Sequence, residues 1–126
     1  MSDVETNHWW AAQAPRPRGE AESMVGFVQA LVASAFDVRP AAILSRRRGA
    51  APVAFARQVA IYLSCTRLGL SYSAAGRMFG RDRTTATHAC RIVEERREEA
   101  NLDTVLDCLE RSIDLWPRHG EGTPAR

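Results

Sequence analysis

The middle of the chain carries the side chains with the clearest chemistry. Residues 39–91 contain ten arginines and a single acid, Asp82, which is a net charge of +9. The flanking segments are acidic, with −3 over residues 1–38 and −5 over residues 92–116. All 17 basic residues are arginine, whose planar fork of donors matches phosphates and base edges. This distribution favours a polyanionic partner, although a merely solvated arginine-rich surface has the same composition.

The densest cluster of such groups is residues 81–85, Arg-Asp-Arg-Thr-Thr. Asp82 can cap a helix that begins there, or it can accept a hydrogen bond from cytosine N4. Arg83 can contact a base edge or a phosphate, and Thr84 offers both a hydroxyl and a methyl group. The cluster therefore suits the start of a helix that recognises a nucleic acid.

The surrounding sequence predicts an all-α, compact multi-helix domain that positions this cluster. Apolar residues recur with a period near 3.6, and Ser23 is a candidate cap for the first helix. We expect helices over residues 23–36, 40–44, 53–68, 72–79, 82–99 and 101–116, with a basic loop over residues 45–52. In the last helix the predicted buried stripe is Leu102, Val105, Leu106, Leu109, Ile113 and Trp116. Residues 1–21 and 118–126 have linker-like composition, so we expect disordered arms around a domain of residues 22–117.

Residues 71–99 have the pattern of a helix-turn-helix. Ser71 can cap the first, short helix, Gly80 permits the bend, and the second helix starts near Asp82. At about 100° per residue, one face of the second helix is apolar and points to the core. Its members are Ala86, Ala89, Cys90 and Val93, whereas Thr84, His88 and Arg91 lie on the outward face.

Several other classes of function lack their sequence signals. No apolar stretch approaches the ~18 residues that a membrane span needs, and no secretory signal is recognisable. The three cysteines never form a Cys-x-x-Cys, which favours reduced, buried thiols over a disulfide framework or a metal site. No nucleophile elbow or pair of carboxylates suggests catalysis. We expect a cytoplasmic, nucleoid-associated protein that is no enzyme and has neither a metal nor a cofactor.

Four stretches resemble the C-terminal DNA-binding domain, domain IV, of the bacterial replication initiator DnaA. They are residues 36–48 (FDVRPAAILSRRR), 56–63 (ARQVAIYL), 70–76 (LSYSAAG) and 79–90 (FGRDRTTATHAC). The last is similar to the family signature Arg-Asp-His-Thr-Thr-Val-x-His-Ala. The resemblance extends over about three-fifths of the chain and implies sequence-specific binding to double-stranded DNA.

The resemblance also implies roles for individual residues. The arginine of the basic loop that enters the minor groove corresponds to Arg48 or Arg47. Asp82 and Thr84 match positions that recognise bases in the major groove. The positions that hold phosphates correspond to Arg57, Ser71, Arg81 and Thr85.

Two departures from the family pattern concern the same helix-turn-helix. Arg83 stands where the family has histidine, and Tyr72-Ser73 replaces the usual Leu-Pro at the start of the short helix. Because arginine fits guanine O6 and N7 together, we expect Arg83 to shift the preferred site towards G; the alternative is a phosphate contact. A Walker A loop needs a lysine, which this chain lacks, so we expect no bound nucleotide.

Two classes of function remain open. The first is a DNA-binding regulator of replication initiation or of transcription, acting at sites like the DnaA box without ATPase activity. The second is a protein-interaction module that acts on the replication initiator or its regulators. The intact Arg-Asp-x-Thr-Thr run favours the first, and the Trp9-Trp10 pair favours the second because aromatic residues anchor interfaces.

Overall fold

Helices joined by short loops make up residues 18–116, the part of the chain that the computed structural model describes. The helices in this part are α1 (Arg18–Phe36), α2 (Pro40–Leu44), α3 (Ala51–Thr66), α4 (Tyr72–Met78), α5 (Arg83–Arg96) and α6 (Ala100–Asp114). No strand occurs between residues 18 and 116, so the predicted all-α class is confirmed. None of these helices is both long and apolar enough to cross a membrane.

Helix α1 begins earlier than the sequence pattern predicts. It starts at Arg18, so the expected cap at Ser23 is wrong, and residues 18–21 belong to the helix rather than to a disordered arm. Glu20 lies in its first turn, where a negative charge favours the helix dipole. The predicted disorder of residues 1–17 and 118–126, and the pair Trp9-Trp10, lie outside the described residues.

Helix α3 is the centre of the core. It packs against α1, α2, α4 and α5, and eight of its residues are buried. The apolar face predicted for α5 is confirmed, since Ala86, Ala89, Cys90 and Val93 are all buried against this core. Because this face of α5 packs against the core, the opposite face of the helix is exposed to solvent.

Arg97, which follows the last turn of α5, ties α6 to the rest of the domain. Its guanidinium contacts Asp103 at 2.6 Å, Glu110 at 2.7 Å and Asp107 at 3.1 Å. It also donates to the hydroxyl of Tyr62 on α3 at 3.1 Å. The hydrogen bond that Arg97 donates to Glu110 is the main cause of the raised pKa of Arg97. Several acids of the C-terminal segment therefore stabilise the fold by pairing with Arg97.

The buried stripe of α6 is narrower than predicted. Leu102, Leu106, Leu109 and Ile113 are buried, but Val105 is 36% exposed because it lies at the edge of that stripe. Trp116 follows the helix end and is half-buried, with its ring centroid 4.0 Å from that of Phe27 on α1. The expectation of a buried Val105 is thus wrong.

The turn between α4 and α5 depends on two glycines. Gly80 adopts a φ of +69°, which favours glycine, and the backbone N–H of Arg81 donates to the carbonyl of Gly76 at 2.7 Å. A Cβ on Gly76 would lie 2.8 Å from the carbonyl oxygens of both Arg81 and Asp82. The position of α5 relative to α4 therefore requires the absence of a side chain at residue 76.

We predict that Gly76→Ala lowers the free energy of unfolding by about 2–3 kcal/mol, because the new methyl group meets backbone that cannot rotate away. Gly26→Ala in α1 is the matched control, since a Cβ there meets nothing within 4 Å. It should stabilise the domain by roughly 0.5–1 kcal/mol through helix propensity. Chemical denaturation measures both. Equal effects of the two substitutions would show that the close approach at Gly76 is not a constraint.

Candidate nucleic-acid interface

The outward face of α5 presents a row of polar and basic side chains. Arg83, Thr84, Thr87, His88 and Arg91 are exposed and line one shallow surface along the helix. The prediction that Thr84, His88 and Arg91 share this face is confirmed. Hydroxyl, imidazole and guanidinium groups on one exposed helix face are typical of a helix that enters a major groove.

Side-chain caps fix the starts of both helices of the helix-turn-helix. Asp82 caps α5, and its Oδ1 accepts from the backbone N–H of Thr85 at 2.8 Å. This hydrogen bond is the main reason why the pKa of Asp82 is lowered. Ser71 caps α4 in the same way, with its Oγ accepting from Ala74 N at 3.0 Å. The capping function expected of both residues is therefore confirmed.

The outer face of α5 contains a contact that orients His88. Nη2 of Arg91 lies 2.8 Å from Nδ1 of His88. Because a guanidinium can only donate, Nδ1 must accept, and the proton of the neutral ring is then assigned to Nε2. Thr87 donates its hydroxyl to the carbonyl of Arg83 at 3.0 Å. The Nε2–H group of His88 is thus the donor that the contact with Arg91 leaves available.

Arg57 on α3 holds the basic loop from inside. It is only 5% exposed, and its Nε donates to Ile43 O at 2.7 Å. Nη2 donates to Ala42 O at 2.8 Å and to Arg47 O at 3.3 Å, and Nη1 donates to Arg48 O at 3.0 Å. Burial is the main cause of a lowered pKa at Arg57. The geometry makes it a positioning residue for the loop, and a phosphate contact of its own stays a prediction.

Arg81 holds the same loop from the side of the helix-turn-helix. Its Nη1 donates to Ser45 O and to Phe79 O, both at 2.9 Å. Its Nη2 lies 3.4 Å from Arg47 O and 3.5 Å from Arg46 O. The carbonyls of the basic loop therefore accept hydrogen bonds from two arginines, Arg57 on α3 and Arg81 in the turn that precedes α5.

These hydrogen bonds place the basic loop beside α5. A recess of about 500 Å³ lies between them, with Arg46, Arg48 and Arg57 on one side and Thr84, Thr85 and His88 on the other. The structure thus joins two segments that are about 35 residues apart in sequence. Arg47 and Arg48 are exposed, whereas Arg81 is half-buried.

Three features of this surface were not predicted from the sequence. Arg57 has a clamping role, Arg46 lines the recess, and Arg83 lies over the ring of Tyr72. A signal for the first was present, because Arg57 is the one charged residue of α3. Buried charges need partners, and here the partners are backbone carbonyls.

The cysteines differ in their surroundings. Cys90 is buried and Cys65 half-buried, but Cys108 is exposed, so the expectation that all three are buried is wrong. Within residues 18–116, no group of three His, Cys, Asp or Glu side chains could hold a metal ion.

Comparison with known proteins matches the helix-turn-helix region. A family model described as the helix-turn-helix of the bacterial DnaA protein matches residues 25–93. The chain is 36% identical over 88 residues to the chromosomal replication initiator protein DnaA of Burkholderia multivorans, and likewise to that of Burkholderia vietnamiensis. The match covers 68% of this chain but only 17% of either relative.

We predict that Arg57→Lys lowers the free energy of unfolding by about 2–3 kcal/mol, because one ammonium cannot reach four carbonyls on different sides. Arg46→Lys is the control, since the side chain of Arg46 is exposed and its charge is kept. Urea denaturation gives both values. If Arg57→Lys is as stable as the control, the loop does not depend on this clamp.

Proposed function

The chain belongs to the family of the bacterial DnaA helix-turn-helix, and on this basis we propose that it binds double-stranded DNA sequence-specifically. The proposed targets are sites related to the DnaA box, and occupancy of such sites would regulate replication initiation or transcription. The proposed function does not involve ATP hydrolysis by this chain.

The observation that carries the proposal is a single surface made from α5 and the basic loop. The exposed face of α5 provides groups for base edges, and Arg47 and Arg48 extend from a loop held beside it. A recognition helix occupies the major groove. An arginine on the other side of the adjoining phosphate backbone can enter the neighbouring minor groove. The two segments therefore suit two adjacent grooves of one duplex.

The caps of the two helices support the same arrangement. The N-termini of α4 and α5 direct backbone N–H groups outward, where phosphates bind favourably. Ser71 and Thr85 lie at these termini and are exposed. Asp82 uses Oδ1 for its cap. A carboxylate accepts more than one hydrogen bond, so Asp82 can also accept from a base donor such as cytosine N4. We assign Ser71 and Thr85 to phosphates, and Asp82 and Thr84 to bases.

Arg83 adds a base contact of its own to the proposal. It lies at the first position of α5, is exposed, and forms no ion pair within residues 18–116. Its fork is therefore available to guanine O6 and N7, whereas Arg57 and Arg81 are occupied by the basic loop.

We expect tight binding to a duplex that contains a DnaA box and a steep dependence on salt. The logarithm of affinity should fall by about 0.9 per logarithm of salt for each phosphate neutralised. Arg48→Ala should weaken binding most where the minor groove is narrow, because an arginine is attracted to its negative potential. Fluorescence anisotropy with box and scrambled duplexes measures these effects.

Arg111→Ala provides the matched loss of charge, since Arg111 lies exposed on α6, away from the proposed surface. It should bind like the wild type. Equal binding to box and scrambled duplexes would contradict the proposal, and weak binding to both with little salt dependence would favour the protein-interaction alternative.

A second expectation concerns the base that Arg83 contacts. Selection from randomised duplexes should return a site that differs from the one selected by Arg83→His at one step, with G preferred by the wild type. Each base contact of this kind provides about 1–3 kcal/mol of discrimination. If both proteins select the same sequence and differ only in salt dependence, Arg83 contacts a phosphate instead.

A further inference from the structure

The guanidinium of Arg83 lies against an aromatic ring. Cζ of Arg83 lies over the ring of Tyr72, 5.8 Å from its centroid. Tyr72 is the first residue of α4, directly after the cap at Ser71, and it is 39% exposed. A cation within about 6 Å of an aromatic centroid is attracted to the ring face.

Within residues 18–116, neither a side-chain hydrogen bond nor an ion pair holds this guanidinium. The carboxylate of the neighbouring Asp82 is engaged with Thr85, and Arg83 has no hydrogen bond of its own from its side chain within residues 18–116. Nearby Arg91 is engaged with His88 and carries the same charge. The attraction to the ring of Tyr72 therefore favours one position of this long and flexible side chain over others.

The contact joins the first residue of α4 to the first residue of α5, across the junction of the two helices. Both side chains line a recess of about 700 Å³ at the flank of the recognition helix, and Arg83 also lines the outward face of α5. The guanidinium thus lies at the boundary between the ring and the proposed base-contacting surface.

We propose that Tyr72 is a specificity-determining residue that acts through Arg83. Its ring holds the guanidinium at the start of α5, with the N–H edge free for a guanine, so that the pair sets the base preference at that step. This inference rests on the proposed function, since it concerns the same DNA-binding surface. The hydroxyl of Tyr72 has no part in the mechanism, and the ring face is sufficient.

The test compares base discrimination among variants of Tyr72 in the full chain. The step facing residue 83 is the one at which the wild type and Arg83→His select different bases. The measured quantity is the ratio of affinities for duplexes with G and with the competing base at that step. Tyr72→Phe should keep the wild-type ratio, whereas Tyr72→Leu and Tyr72→Ala should reduce it about threefold, as expected for an exposed cation–π contact.

A second background separates positioning from a general structural effect. With Arg83→His present, Tyr72→Leu should leave the ratio unchanged, because the guanidinium that the ring holds is gone. Thermal melts of every variant check that the domain stays folded. The inference is overturned if Tyr72→Leu and Tyr72→Ala keep the wild-type ratio, or if Tyr72→Leu changes the ratio equally in both backgrounds. A wild type without preference at any step overturns the proposed function itself, which is a different result.

Discussion

The hydrogen bonds from two guanidinium groups to the backbone of the basic loop are the interaction on which the rest of the surface depends. Arg57 approaches the loop carbonyls from α3, and Arg81 approaches them from the turn before α5. The side chains of the three consecutive arginines in the loop repel one another. The loop carbonyls, with their negative partial charge, are the groups that stabilise the guanidinium charges of Arg57 and Arg81. Because Arg81 directly precedes the cap of α5, the loop and α5 are positioned together.

Arginines within residues 18–116 therefore have at least two different physical roles. Arg57, Arg81 and Arg97 point inward and bind carbonyls or carboxylates, which fixes the loop, the turn and α6. Arg47 and Arg48 on the loop point outward and remain available to a partner. A planar guanidinium with five donors suits the inward group better than an ammonium would. Three acids of α6, Asp103, Asp107 and Glu110, neutralise the charge of Arg97.

Most of the helices could be predicted from the sequence, because apolar period, caps and glycines act locally. The buried face of α5 and the caps at Ser71 and Asp82 are of this kind. The start of α1 was misplaced because a linker-like composition concealed a helical turn that Glu20 favours. The lone charge of Arg57 in α3 indicates that it needs partners, but which carbonyls it binds, and the contact of Tyr72 with Arg83, depend on how the helices pack, which no local pattern contains.

The central claim is that the loop and α5 form one DNA-binding surface, and its most direct test is an NMR titration. The ¹⁵N-labelled chain is titrated with a duplex that contains a DnaA box, and the shifts of the backbone amides are followed. We expect large, saturable shifts in residues 45–49 and 81–91 together, with α6 nearly unchanged. Shifts centred on α6, or on α5 without the loop, would contradict it.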